Sequence, residues 1–515
     1  MSKRLSSLSE QNGDLASESE HLRTDHLLPN IGQLAVSGGF VTVAAQAAKF
    51  ALNFGGAAIL ARLLSPKEFG LVGMVLGVAG VVGIFNELGL STATVQRQKI
   101  TQEQVSNLFW INVAVSGIVT VASCGLAPIL ARFYHDPRVS GIMVALSLMF
   151  VLTGSTVQHR ALLARQMRFR ALAVIDVASM LVGFTTAGAL AWLGFAYWAL
   201  VAQQLVYSLA LLVLTWIVSR WRPNLPSLNS GVRPLLSFGA HLTIADFVVR
   251  SVLNADSILI GKLFGAAPLG LYTRASVLLA RPLEQVVNPV GAVMDTLLAR
   301  LQTDPERYRR TYLRTFEALA LIIFPFSAIC LVLSRPMVLV VLGLKWTGVI
   351  PLFSAFALVA ISGPLTGLAT WLYQSQGRGR DQLWSHSANG LVTLVAYLVG
   401  LNWGPLGLIL SLALVSATIR LPIVYYIAGR KGPVSTGDLW LSFVSQLPAW
   451  GTAYVATMLA YMALANSLPI VQLSVCAPIG FLFGVGLMLP FHRSRENATF
   501  AFNTLKSAIV QQWRA

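Results

Sequence analysis

Three runs of polar side chains recur at helical spacing inside otherwise apolar sequence. Thr42, Gln46, Lys49 and Asn53 follow i, i+4, i+7, i+11, and Thr243, Asp246, Arg250, Asn254 and Ser257 follow i, i+3, i+7, i+11, i+14. Arg281, Glu284, Asn288 and Asp295 form the third run. Such spacing places each set on one face of a helix. Ionisable groups are costly in hydrocarbon, so they face either a water-filled cavity or one another. Turned to a cavity, the cations would bind an anion, Arg as a bidentate phosphate ligand and Lys as a point charge. The candidate binding residues are therefore Gln46, Lys49, Asn53, Asp246, Arg250, Asn254, Arg281 and Glu284. A second explanation stays open, because Asp246 with Arg250 and Arg281 with Glu284 are also spaced to neutralise each other. Lys49 has no acid on its own helix. For the lone charges Asp176, Glu317 and Arg420, lining, pairing and snorkelling are equally open.

Motifs for catalysis are missing. The sequence has no G-x-x-x-x-G-K-[ST], no D-x-D and no H-E-x-x-H, and its seven histidines are scattered. Cys124, Cys330 and Cys476 stand singly in apolar segments, which supports neither a disulfide framework nor a zinc site. No catalytic residue, metal or cofactor is expected.

The elements that carry the stripes are membrane spans. Of 515 residues, 55% are hydrophobic and only 11% charged, far from the roughly 25% charged of soluble domains. Apolar stretches of about 20 residues, enough to cross about 30 Å of hydrocarbon, recur from Ile31 to Pro490. They place spans near 35–61, 69–89, 106–130, 140–159, 171–192, 196–218, 236–261, 270–299, 312–334, 348–373, 384–401, 405–428, 440–465 and 469–490. The predicted class is an all-α polytopic membrane protein of about 14 transmembrane helices. Lys49, Arg250 and Arg281 each fall roughly 15–20 Å from the start of their spans. Pro282 and Pro289 interrupt the eighth span and permit a kink.

Alternate loops differ in charge. One set, with Arg160, Arg165, Arg168 and Arg170 among its members, holds more than twice the Lys and Arg of the other, and both termini fall on the rich side. The bias predicts cytoplasmic termini, and it accounts for the net charge of +17 without a nucleic-acid partner. Residues 1–34 read as a disordered cytoplasmic tail. Residues 491–515 place Phe502, Leu505, Ile509 and Trp513 on one face of an interfacial helix. No internal loop has room for a folded domain.

A repeat runs through the chain at an offset of 200. Residues 62–73 (RLLSPKEFGLVG) align without gaps on 262–273 (KLFGAAPLGLYT), pairing Leu63 with Leu263, Gly70 with Gly270 and Leu71 with Leu271. Six spans separate the copies, so both halves share one orientation, as in parallel-repeat transporters whose two lobes flank a central cavity.

Several segments together resemble a known family: RLLSPKEFGLVGM at 62–74, NELGLSTATVQR at 86–97, ITQEQVSNLFWIN at 100–112, ALLARQMRF at 161–169 and DSILIGKLFGAAPLGLYTRA at 256–275. They are similar to the Wzx and WzxC polysaccharide flippases of the multidrug/oligosaccharidyl-lipid/polysaccharide exporter superfamily. The resemblance implies two six-helix lobes, 35–218 and 236–428, and a final helix pair, 438–490. It implies a bacterial inner-membrane transporter that flips undecaprenyl-pyrophosphate-linked oligosaccharide from the cytoplasmic to the periplasmic leaflet for O-antigen, capsule or exopolysaccharide. Its expected partners are that lipid-linked oligosaccharide, membrane lipids, a polysaccharide polymerase and a chain-length regulator. Two alternatives compete: a drug or cation antiporter of the same superfamily, which would want an acidic lumen, and a membrane-embedded polymerase or ligase, which would want a large periplasmic loop. A scaffold without transport is a third.

Overall fold

The computed structural model describes residues 31–86, 89–97, 100–227 and 233–488. The expectations for residues 1–30 of the first tail and for the tail 491–515 lie outside the described residues, as do those for the side chains of Thr42, Thr243 and Asp246. Among the described residues there is no strand. The helices are α1 Ile31–Leu63, α2 Pro66–Val82, α3 Leu90–Gln96, α4 Gln102–Tyr134, α5 Arg138–Gly154, α6 Val157–Arg165, α7 Phe169–Trp192, α8 Trp198–Ser219, α9 Arg233–Phe264 and α10 Ala266–Arg300. They continue with α11 Pro305–Val332, α12 Ser334–Val341, α13 Val349–Ser375, α14 Gly379–Gly400, α15 Gly404–Val415, α16 Leu421–Gly429, α17 Thr436–Val444, α18 Leu447–Ala463 and α19 Pro469–Gly486.

Nine helical runs among the described residues are long and apolar enough to cross a membrane. One, Gly379–Gly429, covers two of the spans expected from sequence, which a 3-10 turn at Leu401–Trp403 separates. Helices α1, α9 and α10 are not among these nine. Apolar side chains such as Ile118, Val121, Leu398 and Leu482 stand exposed on the helices, while Asn112, Ser116, Gln158 and Ser179 are buried. That inversion suits a lipid solvent, which places no penalty on an exposed Ile or Leu.

By contacts the chain forms two units. The first holds 31–64 and 71–254, the second 65–70 and 255–488. In the first unit α4 and α5 form a hairpin, and so do α7 and α8, while α1 lies along α7. The α4–α5 turn is set by His135 in the left-handed region, whose N–H caps Ala131 and Arg132. Gly194, at φ +85°, lies in the α7–α8 turn. Leu90, Val105, Leu108, Phe109, Leu162 and Trp221 make one apolar core.

In the second unit α11 packs on α13, α18 and α19 around the fully buried Tyr308, Tyr312, Phe316, Phe324 and Tyr425. Helix α10 runs through Pro282 and Pro289 without a break. The short segment 65–70 crosses the start of α10 so closely that only glycine fits. A Cβ on Gly70 would lie 1.6 Å from the Ala266 carbonyl oxygen, and one on Gly270 would lie 1.9 Å from that of Pro66. Phe69 beside this crossing meets Trp346 edge-on at 5.3 Å, and the Arg274 guanidinium covers its ring at 3.9 Å. A capping box at Ser435 and Asp438 opens α17. Asp438 also accepts from Arg309 Nε at 2.7 Å, and this bond holds its carboxyl well below the usual carboxylate range.

Candidate functional site

Helix α1 reaches α7 because Gly56 leaves room for a ring. A Cβ there would lie 2.3 Å from Phe184 Cδ1. Two turns earlier on both helices stand Lys49 and Asp176, facing each other at the same crossing. Lys49 Nζ is 2.5 Å from Asp176 Oδ2. The other carboxylate oxygen, Oδ1, accepts from Arg160 Nη1 at 2.8 Å. Arg160 comes from α6, and the turn after Arg165 folds α7 back so that residues 160 and 176 meet.

The cluster holds two cations and one anion, a net charge of +1. Its side chains are 26%, 30% and 16% exposed for Lys49, Arg160 and Asp176, so none of the three is sealed in the core. An ammonium with three donors and a guanidinium with five face a single carboxylate, which leaves donors to spare. The arrangement can hold an anion with several oxygens.

The remaining candidates sit differently. Gln46 and Asn53, one turn either side of Lys49, are exposed. Arg250 is exposed, and Asn254 Nδ2 donates to the Arg250 carbonyl at 2.8 Å while its Oδ1 faces Gly80 of α2. In the second unit Arg281 Nη1 pairs with Glu284 Oε2 at 3.0 Å, both side chains about half exposed at 57% and 45%. The mutual neutralisation that their spacing allowed is thus realised on their own helix. Asp256 of α9 accepts from the Tyr272 hydroxyl at 2.6 Å, and Arg420, in a π-helical turn, donates to Ser416 at 2.9 Å. Glu317 accepts from Ser442 at 2.7 Å. Among the described residues no group of three His, Cys, Asp or Glu is placed to hold a metal.

Sequence reasoning left Asp176 as a lone charge and counted Arg160 among the loop cations. The structure joins both to Lys49. The signal was present in part: a carboxylate in an apolar span demands a partner, and a cation 16 residues upstream across a tight turn is within reach. Which of the other helices would supply a second cation was not written in any spacing.

The fold defines a class, that of polytopic helical membrane proteins. The structure is similar to lipid II flippase MurJ in an inward closed conformation, with a TM-score of 0.66 at 10% identity over 89% of this chain and 99% of that one. It is also similar to an inward-facing multidrug resistance MATE family transporter, with a TM-score of 0.55 at 14% identity over 74% of this chain and 96% of that one. At such identities the likeness shows the fold. The family follows from sequence: residues 59–351 match the model of the polysaccharide biosynthesis proteins, and the chain belongs to that family. Among curated relatives, the lipopolysaccharide biosynthesis protein WzxC of Escherichia coli (strain K12) is 25% identical over 77% of this chain and 82% of its own length. The succinoglycan biosynthesis transport protein ExoT of Rhizobium meliloti (strain 1021) is 28% identical over 66% and 68%.

Proposed function

We propose that this protein moves a lipid-linked oligosaccharide across a bacterial inner membrane, from the cytoplasmic to the periplasmic leaflet, as a step in polysaccharide assembly. The family, the relatives named for lipopolysaccharide and succinoglycan biosynthesis, and the flippase fold support it. The single observation that carries the cargo chemistry is the cationic cluster of Lys49, Arg160 and Asp176 in the first unit. Undecaprenyl pyrophosphate presents an anion with several oxygens at the junction of glycan and lipid, which is what paired Lys and Arg hold best. A carrier of organic cations would present the opposite charge. Lys49 and Arg160 are the proposed headgroup contacts, with Gln46, Asn53, Asp246, Arg250, Asn254, Arg281 and Glu284 as further candidates along the path. The lobes are proposed as 35–218 and 236–428, with 438–490 as an added pair. The Lys and Arg bias supports cytoplasmic termini, and a polysaccharide polymerase and a chain-length regulator are the proposed protein partners.

The test is complementation of a deletion strain. The wild-type chain is expected to restore polysaccharide export, and the Lys49→Ala, Arg160→Ala chain, present at normal level, is expected to leave lipid-linked repeat units stranded in the inner leaflet. Full export from that variant would overturn the assignment.

A further inference from the structure

We infer that Asp176 is an exchangeable counter-anion: it bridges Lys49 and Arg160 while the transporter is empty, and a diphosphate headgroup displaces it when cargo binds. The inference rests on the transport reading above and deepens it. Each oxygen of Asp176 takes a different cation, Oδ2 with Lys49 at 2.5 Å and Oδ1 with Arg160 at 2.8 Å. Two oxygens on one centre, reaching two cations from two helices, is also how a phosphate would bridge them. The carboxylate thus occupies the position of the ligand.

A purely structural pair would need only one cation. Here Asp176 engages two, and the surplus positive charge remains available to a group of higher charge. Diphosphate carries more negative charge and more oxygens than a carboxylate, so it competes for the same donors on better terms. A displaced carboxylate in a membrane span requires another donor. Return of Asp176 to the two cations would in turn expel the headgroup. Binding and release then share one carboxylate, and neither state leaves the cations unanswered.

The experiment uses the purified full chain and farnesyl diphosphate, with farnesol as the uncharged control. If Asp176 fills the site most of the time, removing its charge raises apparent affinity by about tenfold, since affinity scales with the fraction of sites free to bind. Asp176→Asn is therefore expected to bind farnesyl diphosphate more tightly than wild type, with farnesol unchanged, and yet to export less polysaccharide because release is slowed. Neutralising a carboxylate beside the site also strengthens anion binding by Coulomb attraction alone, so the gain in affinity counts for the exchange only together with a spectral shift of the wild-type carboxylate. Binding by the wild type that Asp176→Asn leaves equal or weakens overturns the exchange alone. No saturable binding by either chain overturns the transport reading itself. Infrared difference spectra of the wild type repeat the test without a variant: a carboxylate band is expected to shift on binding, and an unchanged carboxylate region overturns the exchange.

Discussion

Lys49 and Arg281 differ in where their countercharge comes from. The acid that answers Arg281 is Glu284, three residues on and about half exposed, and pairs of that kind contribute about 0 to 1 kcal/mol. The acid that answers Lys49 comes from another helix and is shared with Arg160. Neutralising the helix pair as Arg281→Gln, Glu284→Gln should leave abundance in the membrane unchanged and retain most of the export, measured beside the Lys49→Ala, Arg160→Ala chain. An export defect as deep as that of the latter would move the anion site toward the second unit's pair. The difference was only half legible in sequence. Spacing of three residues announces a pair on one helix, whereas the Lys49–Asp176 contact depends on which helices touch, and periodicity is silent about that.

At the scale of elements, the site is held by the α1–α7 crossing, and that crossing depends on Gly56 accepting the Phe184 ring. A side chain there overpacks the contact at a cost of about 1–3 kcal/mol. Gly56→Leu is expected to wedge α1 from α7, part Lys49 from Asp176 and cut export while leaving the protein in the membrane. Phe184→Ala, which opens the space again, should restore export in the same chain; failure of that rescue would show that Gly56 acts elsewhere. The stripes on α1, α9 and α10 were readable because a helical face has a fixed period, and a helix runs over each of them. The stretch after Gln158 was not, since its arginines looked like a charged loop. It is the helix α6 through Arg165, and its cations are spent on contacts: Arg160 on Asp176 and the buried Arg165 on the Thr94 carbonyl at 3.1 Å.

Over the whole molecule, the offset of 200 found in the sequence reappears in the backbone. Helix α2 begins at Pro66 and α10 at Ala266, and the segments that begin them cross within the second unit. Matching Gly70 with Gly270 in sequence did not say that the two would touch, because a repeat fixes likeness and leaves contact open. Even the partners correspond, since residue 70 closes on 266 and residue 270 closes on 66.

A contact in which the first member does to the second what the second does to the first is isologous, the form found across the axis of a twofold dimer. Here one chain makes it with itself. The two glycines are then not independent sites but two readings of one gap, and damage to either opens it for both. Gly70→Ala and Gly270→Ala should each lower the thermal stability of the detergent-solubilised chain by similar amounts, and the double variant by clearly less than their sum, as for residues that share a contact. Strict additivity would mean that the two close approaches are separate.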